Sequence, residues 1–355
     1  MSVVAKGKVC VTGAGGFLAS WVVDLLLSKD YFVHGTVRDP DNEKYSHLKK
    51  LEKAGDKLKL VKADLLDYAS LQSAIAGCIG VFHVASPVPS SSVPNPEVEV
   101  MAPAVDGTLN VLKACAEANV KRVVYVSSAA ALMMNPNWPK DRVIDESCWS
   151  DLEFCKRTEN WYCASKTQAE SEAFEFAKRT AIHLVSICPT MVFGPVLQQH
   201  TVNASTLALA KLLKEGFLSR ENQVRFIVDV RDVAQALLLV YEKPEAEGRY
   251  ICTAHKAKEK DVAEKLKSLY PNYNYPKSRA GPKPSLTKHS LQTSEIFEKI
   301  YMDISPQICK KKISAPKLLN SFLARLQPQN LRTGPAKRLC LCNVTATSKW
   351  KKRLR

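Results

Sequence analysis

Lys8-Val9-Cys10-Val11-Thr12-Gly13-Ala14-Gly15-Gly16-Phe17 is a short apolar run that breaks into a glycine-rich turn, and its reading decides the fold. The run predicts a buried strand over Lys8–Thr12, and the spacing of apolar residues predicts a helix over Phe17–Lys29. A glycine-rich turn gains meaning in this position, between a first strand and a first helix. Gly13 permits a tight turn, Gly16 lets a pyrophosphate approach the backbone and the helix N-terminus, and Ala19 is small enough for close helix packing. Thr12, Gly13, Gly15, Gly16 and Phe17 are therefore candidate cofactor residues. The bland alternative is a turn between strand and helix that holds no ligand.

Outward from this turn, apolar runs alternate with helical periods. Strands are predicted at Phe32–Val37, Lys59–Ala63, Gly80–Ala85, Arg122–Ser127 and His183–Cys188, and helices at Glu43–Lys53, Tyr68–Gly77, Ala102–Asn119 and Asn160–Arg179. Such alternation gives an α/β fold, a doubly wound parallel sheet with a ligand crevice at the carboxyl ends of its strands. Pro189, Gly194 and Pro195 interrupt the pattern before a predicted helix at Ser205–Glu215. The expected division is a Rossmann domain over 1–188, a smaller substrate lobe over 189–278 and a divergent, poorly ordered basic tail over 279–355. Part of 225–242 is expected to return to the main sheet, with a strand at Phe226–Val230 and with Asp232 capping the helix that follows.

The end of the second strand bears on the choice of dinucleotide. An acidic residue there would accept hydrogen bonds from the 2′-hydroxyl of NAD, whereas a cation would pair with a 2′-phosphate. Arg38 stands just past the strand, with Lys44 in support, and its planar fork suits phosphate, so NADPH/NADP+ is the expected cofactor. Asp39, next in the chain, keeps NAD open. Asp64 and Leu65, after the third strand, are expected to flank the adenine or to lead into a helix cap.

Tyr162 and Lys166 are four residues apart, so on a helix the phenol and the ammonium share a face. There the cation is expected to lower the pKa of the phenol and so tune a proton donor. The strand Arg122-Val123-Val124-Tyr125-Val126-Ser127-Ser128 ends in two hydroxyls at the same crevice, either of which could serve the carbonyl.

With Asn160-Trp161-Tyr162-Cys163-Ala164-Ser165-Lys166 on the next helix, the chain resembles the extended short-chain dehydrogenase/reductases, and most closely the plant cinnamoyl-CoA reductase and dihydroflavonol reductase group. The resemblance covers about Val3–Tyr275 and also rests on His83-Val84-Ala85-Ser86-Pro87, on Asp145 to Asp151 and on Pro189 to Pro195. It implies NADPH-dependent hydride transfer to a phenylpropanoid-type carbonyl. In that scheme Ser128 polarises the carbonyl, Tyr162 donates the proton, and Lys166 holds the nicotinamide ribose. It further implies that Val84, Ala85, Ser86, Pro189 and Val192 wall the nicotinamide, and that Ser128, Tyr162, Met191, Lys211 and Arg249 meet the substrate.

Two departures bear on the substrate. The group has Tyr-Gly where this chain has Ala164-Ser165, and a histidine where it has Ala208, so acyl-CoA esters are expected to bind poorly beside an aldehyde or another carbonyl. From about Arg279 the sequence does not match the group's ending. The apolar surroundings of Phe193, Val196 and Leu197 favour an aromatic substrate over the sugar nucleotides of epimerases and dehydratases with the same fold. A third possibility is a non-catalytic NADP-sensing module, against which the intact Ser128, Tyr162 and Lys166 set counts.

Charge and cysteine usage exclude other classes. The net charge of +16 looks like a nucleic-acid signature until it is placed: no acidic residue follows Asp303, and 304–355 holds thirteen Lys and Arg, which leaves +3 for 1–303. The tail is either an accident of a divergent ending or a cationic segment for RNA or anionic membrane. No specific nucleic-acid partner is expected. Eleven cysteines, the closest pair being Cys340 and Cys342, form no zinc pattern, so reduced thiols and no metal are expected, with Cys148, Cys155 and Cys163 crowding the Tyr162 helix. The early first strand and the absence of a long apolar run predict a cytoplasmic protein without a membrane partner, as a monomer or weak dimer acting on a small-molecule carbonyl.

Overall fold

The computed structural model describes residues 6–88, 93–139, 141–198, 203–207, 224–269 and 271. Seven strands form one parallel sheet: β1 (Lys6–Val11), β2 (Tyr31–Val37), β3 (Leu58–Lys62), β4 (Gly80–His83), β5 (Arg122–Val126), β6 (His183–Pro189) and β9 (Gly248–Cys252). Their spatial order is β3-β2-β1-β4-β5-β6-β9. Every neighbouring pair is parallel, with Val9 opposite Val33 on one side and Gly80 on the other. The order reverses direction between β1 and β4, and such a switch point opens a crevice at the carboxyl ends of the two strands.

Helices cover both faces because the strands are apolar on both. On one face Val9 and Val11 of β1, with Phe82, Val124 and Val185, pack under α1 (Phe17–Ser28) and under α8 (Val230–Glu242). On the other, Cys10, Val81, Val123 and Tyr125 pack under α4 (Tyr68–Ile75), α5 (Ala102–Glu117) and α7 (Trp161–Lys178). Side chains such as Leu26, Leu27, Leu71, Leu112 and Leu237 lose essentially all solvent contact, a contribution of about 1.5–3 kcal/mol each. Among the shorter elements, the helix predicted over 43–53 is a 3₁₀ turn at Glu43–Tyr45 with α2 (Ser46–Lys49), α3 (Ala54–Lys57) follows, and α6 (Leu152–Arg157) leads into α7.

The C-terminal part differs from expectation. The strand near 226 is β8 (Val224–Asp229), and it joins a separate three-stranded sheet with β7 (Met191–Phe193) and β10 (His255–Lys258), not the main sheet. α8 packs into the main core together with Val228 of β8, and the seventh strand is β9, which the sequence reading did not foresee. The cap of α8 is Asp229, whose carboxylate accepts from the Arg231 N–H at 2.8 Å, while Asp232 lies in the first turn. Burial and the nearby Asp229 push the pKa of Asp232 up to about 6. A last helix, α9 (Glu259–Leu269), is tied to β8 by the ion pair of Arg225 with Glu259 at 2.7 Å. The basic tail lies outside the described residues, as does most of the predicted helix at Ser205–Glu215. Among the described residues no helix is long and apolar enough to cross a membrane, and no His, Cys, Asp or Glu cluster could hold a metal ion.

Candidate active site

The crevice begins at Thr12, whose hydroxyl binds the end of β1 to the end of β4. It accepts from the backbone N–H groups of Val84 and Ala85, both at 3.0 Å, and meets His83 Nδ1 at 2.9 Å. Because that oxygen already accepts twice, its own proton goes to Nδ1, which leaves Nε2–H of His83 to donate to Thr108 at 3.1 Å. His83 is fully buried beside Lys166, and this holds its pKa down at about 3, so the ring is neutral.

Gly13 turns the chain at φ +65°, a conformation that favours glycine, and a Cβ there would come within 3.0 Å of the Ala85 Cβ. The turn closes through Gly16 N–H to the Gly13 carbonyl at 2.8 Å, and Gly16 caps α1 in an extended conformation with no side-chain cap. The start of a twelve-residue helix is thereby left without a protein cap at the switch point, which fits a dinucleotide pyrophosphate. Gly13, Gly15 and Phe17 are half-buried and Gly16 is exposed. A residue that sequence reasoning missed steadies the turn from the other lobe: Gln198 donates to the Gly15 carbonyl at 3.2 Å, next to the bond from Trp21 Nε1 to the Pro195 carbonyl at 2.8 Å.

At the adenosine end, Arg38 and Asp39 are both exposed just past β2. Asp39 accepts from the Asp41 N–H at 3.2 Å, while Arg38 has no carboxylate partner among the described residues. Lys44 lies 4.9 Å from the centre of the Tyr45 ring, and that ring covers Gly15. An exposed guanidinium without a carboxylate partner fits a 2′-phosphate. Asp64 is exposed and accepts from the Leu66 N–H at 3.0 Å; Asp67 caps α4. Leu65 packs against Gly107.

The two serines at the end of β5 part company. Ser127 is buried and donates to Glu170 at 2.8 Å, whereas Ser128 is half-exposed and stands beside the phenol of Tyr162, on whose pKa it acts. Ser128 also caps the short turn after β5, accepting from the Ala130 N–H at 3.1 Å. Lys166 follows one turn after Tyr162 on α7 and is nearly inaccessible, with its Nζ donating to the Val126 carbonyl at 3.2 Å and 5.9 Å from the centre of the Tyr125 ring. Burial brings its pKa down to about 8, against the pull of Glu170 in the other direction.

The phenol corrects an expectation. Burial raises the pKa of Tyr162, and the lowering influence on it is the Ser128 hydroxyl, not the ammonium of Lys166. Lys166 points its charge at a backbone carbonyl, so in this structure it acts on the strand end.

Around this centre, Val84, Ala85, Ser86, Met191 and Val192 are half-buried, and Pro189 is buried at the end of β6. Arg249, expected to meet the substrate, is placed elsewhere. Its guanidinium donates to Glu170 through Nε at 3.0 Å and Nη2 at 2.8 Å, to the carbonyls of Glu146 and Cys148, and it stacks 3.7 Å from the centre of the Trp149 ring. With its donors committed inside the protein, it is a scaffold residue in this conformation. Lys211 and Ala208 lie outside the described residues. The two helix positions that differ from the cinnamoyl-CoA reductase pattern face inward: Ala164 packs with Met101 and Cys155, and Ser165 donates to the Tyr162 carbonyl at 2.9 Å. The eight described cysteines, Cys148, Cys155 and Cys163 among them, are free thiols.

Comparison with known proteins gives the family. The profile of the "NAD dependent epimerase/dehydratase family" matches residues 9–252, from the middle of β1 to the end of β9. The chain belongs to this family. Within it, the chain is 46% identical to "Cinnamoyl-CoA reductase 1" of Petunia hybrida over 339 residues, 92% of this chain and all of that one. It is 44% identical to "Tetraketide alpha-pyrone reductase 1" of Arabidopsis thaliana over 277 residues, 77% of this chain and 84% of that one. Among solved structures, vestitone reductase from alfalfa (Medicago sativa) superposes with a TM-score of 0.67 at 31% identity, covering 86% of this chain and 99% of the other. The yeast methylglyoxal/isovaleraldehyde reductase complexed with NADPH gives a TM-score of 0.65 at 30% identity, over 74% of this chain and 83% of that one.

Proposed function

We propose that this member of the family is an NADPH-dependent carbonyl reductase whose substrate is a phenylpropanoid-type carbonyl, a hydroxycinnamoyl thioester or the matching aldehyde. The observation that carries the reading is the convergence of Ser128 at the end of β5 with Tyr162 and Lys166 on α7, where Ser128 acts on the phenol and Lys166 is fixed to the Val126 carbonyl. The likeness to cinnamoyl-CoA reductases, to vestitone reductase and to an NADPH-bound aldehyde reductase supports it.

NADPH, when bound, supplies the hydride. Gly13 to Phe17 and the start of α1 would hold its pyrophosphate, Arg38 and Lys44 its 2′-phosphate, and Val84 to Ser86 with Pro189 and Val192 its nicotinamide side. The rest is the work of this chain. The Ser128 hydroxyl turns from Tyr162 to the carbonyl oxygen and polarises it. As negative charge grows on that oxygen, Tyr162 releases its proton to it. The raised pKa of the phenol keeps the proton in place until the carbonyl is engaged. Lys166 keeps a positive charge beneath the site while the proton moves.

The inward placement of Ala164 and Ser165 removes one reason for excluding thioesters, because neither side chain forms an open wall. The test is NADPH oxidation across cinnamoyl-CoA esters, cinnamaldehydes and dihydroflavonols, with Tyr162→Phe as control. Turnover of a cinnamoyl thioester or cinnamaldehyde that disappears in Tyr162→Phe is the expected result. Activity confined to dihydroflavonols, or unchanged turnover in the variant, refutes it.

A further inference from the structure

Glu170 is the most heavily bonded carboxylate of the described core, and it has no place in the chemistry above. It is completely buried. Its Oε2 accepts from the Ser127 hydroxyl and from Arg249 Nη2, both at 2.8 Å, and its Oε1 accepts from Ser186 at 2.5 Å, Arg249 Nε at 3.0 Å and Cys188 Sγ at 3.4 Å. One side chain on α7 thus ties the end of β5 to the middle of β6 and the start of β9. It is linked closely to two active-site groups: Lys166 lies one turn earlier on the same helix, and its partner Ser127 directly precedes Ser128.

We infer that Glu170, clamped by Arg249, is a positioning residue of the reductase site, fixing the strand end that presents Ser128 and supplying the negative charge that keeps Lys166 an ammonium. The inference rests on the Ser128, Tyr162 and Lys166 reading of the site.

Two observations separate this from ordinary packing. First, a buried ion pair confers no net stability over apolar residues of the same volume in many cases, so its presence points to geometry or charge as its use. Second, the surroundings of Lys166 hold no other formal negative charge among the described groups. On β5 it meets the Val126 carbonyl and the Tyr125 ring, on β4 the neutral His83, and on β6 the thiol of Cys188, held protonated by burial. On its own helix it meets Tyr162, whose phenol is likewise held protonated, and Glu170. Burial acts to neutralise Lys166, and the main counterweight is Glu170.

Glu170→Gln keeps the shape and removes the charge, and Glu170→Asp keeps the charge and shortens the reach. For Glu170→Gln the expected result is a kcat about tenfold lower and an alkaline limb of kcat/KM about half a pH unit or more below that of the wild type. NADPH affinity at pH 6.5 should stay within about threefold. Glu170→Asp should lower kcat and leave the limb where it was. A Glu170→Gln enzyme with the wild-type limb overturns the inference, even when kcat falls, because loss of packing alone lowers rate without moving a titration.

Where Glu170→Gln fails to fold, Arg249→Lys carries the test, since it preserves both charges but not the two-pronged contact. It should lower kcat and leave KM for the carbonyl within about twofold, whereas a KM raised about tenfold at unchanged kcat puts Arg249 on the substrate and overturns the assignment. A wild type without turnover on any carbonyl refutes the proposed function and not this inference. NADPH binding followed by fluorescence from pH 6 to 9.5 then decides: loss of affinity on the alkaline side at lower pH in Glu170→Gln supports it, and identical curves refute it.

Discussion

The Lys166 ammonium donates to the Val126 main-chain carbonyl at 3.2 Å, so the cation of the site is fixed to the last residue of β5, two residues before Ser128. Its burial gives a pH dependence whose sign can be worked out. The pKa falls from the ordinary lysine range to about 8, so the group is charged below that value and neutral above it. The Tyr162 phenol moves the other way and keeps its proton throughout this range. Carbonyl reduction should therefore be full below pH 8 and decline as pH rises through about 8, with Lys166 and not Tyr162 as the titrating group. A kcat/KM profile from pH 5.5 to 9.5 measures this, and a flat alkaline side would contradict it.

Removing the proton donor tests the centre directly. Tyr162→Phe should cost about 10²–10⁴-fold in kcat, the range for a lost general acid, with NADPH binding within a few-fold of wild type. Ser128→Ala should cost about 10²-fold or more by removing one donor to the developing oxyanion. Ser127→Ala should not follow Ser128→Ala, because its hydroxyl faces Glu170 and not the phenol. Steady-state kinetics and fluorescence titration of NADPH on the three variants separate the outcomes.

Much of this was legible in the sequence, for reasons that differ from residue to residue. The β1 turn and helix could be read because glycine and small residues fall where the local backbone requires them, and Gly13 does adopt a positive φ. Tyr162 and Lys166 could be brought to one helix face by counting. The choice between Ser127 and Ser128 could not be made from the strand alone, since alternation says that they face opposite ways but not which way either faces. Arg249 was misplaced because its partner Glu170 is 79 residues earlier, a separation over which spacing carries no information. Glu170 did leave a trace, as an acid four residues after Lys166 on the same helix face. The strand β9 was missed because Gly-Arg-Tyr-Ile-Cys is short and carries a charge, and only its pairing with β6 makes it a strand.

Cofactor preference should follow Arg38. The guanidinium is exposed at the end of β2 without a carboxylate partner among the described residues, so a phosphate gains its full attraction there. Arg38→Gln is expected to raise KM for NADPH by about tenfold or more and to leave KM for NADH nearly unchanged. Equal effects on both cofactors would show that Arg38 serves the fold and not the 2′-phosphate.

Thr12 should govern stability more than its size suggests. Its hydroxyl accepts from the N–H groups of Val84 and Ala85 and pairs with His83, all within 3.0 Å, at a position with no solvent exposure. Thr12→Val keeps the shape and leaves two amides and a ring nitrogen without a partner, a loss of about 3 kcal/mol or more where each unsatisfied buried group costs about 1–3 kcal/mol. Thr12→Ser retains the hydroxyl and should lie within about 1 kcal/mol of wild type, as expected for loss of one buried methyl group. Urea unfolding at constant m-value measures both. Since the freed amides belong to the turn that flanks the glycine loop, Thr12→Val should also weaken NADPH binding, whereas a destabilised protein with unchanged affinity would separate the strand-end clamp from the cofactor site.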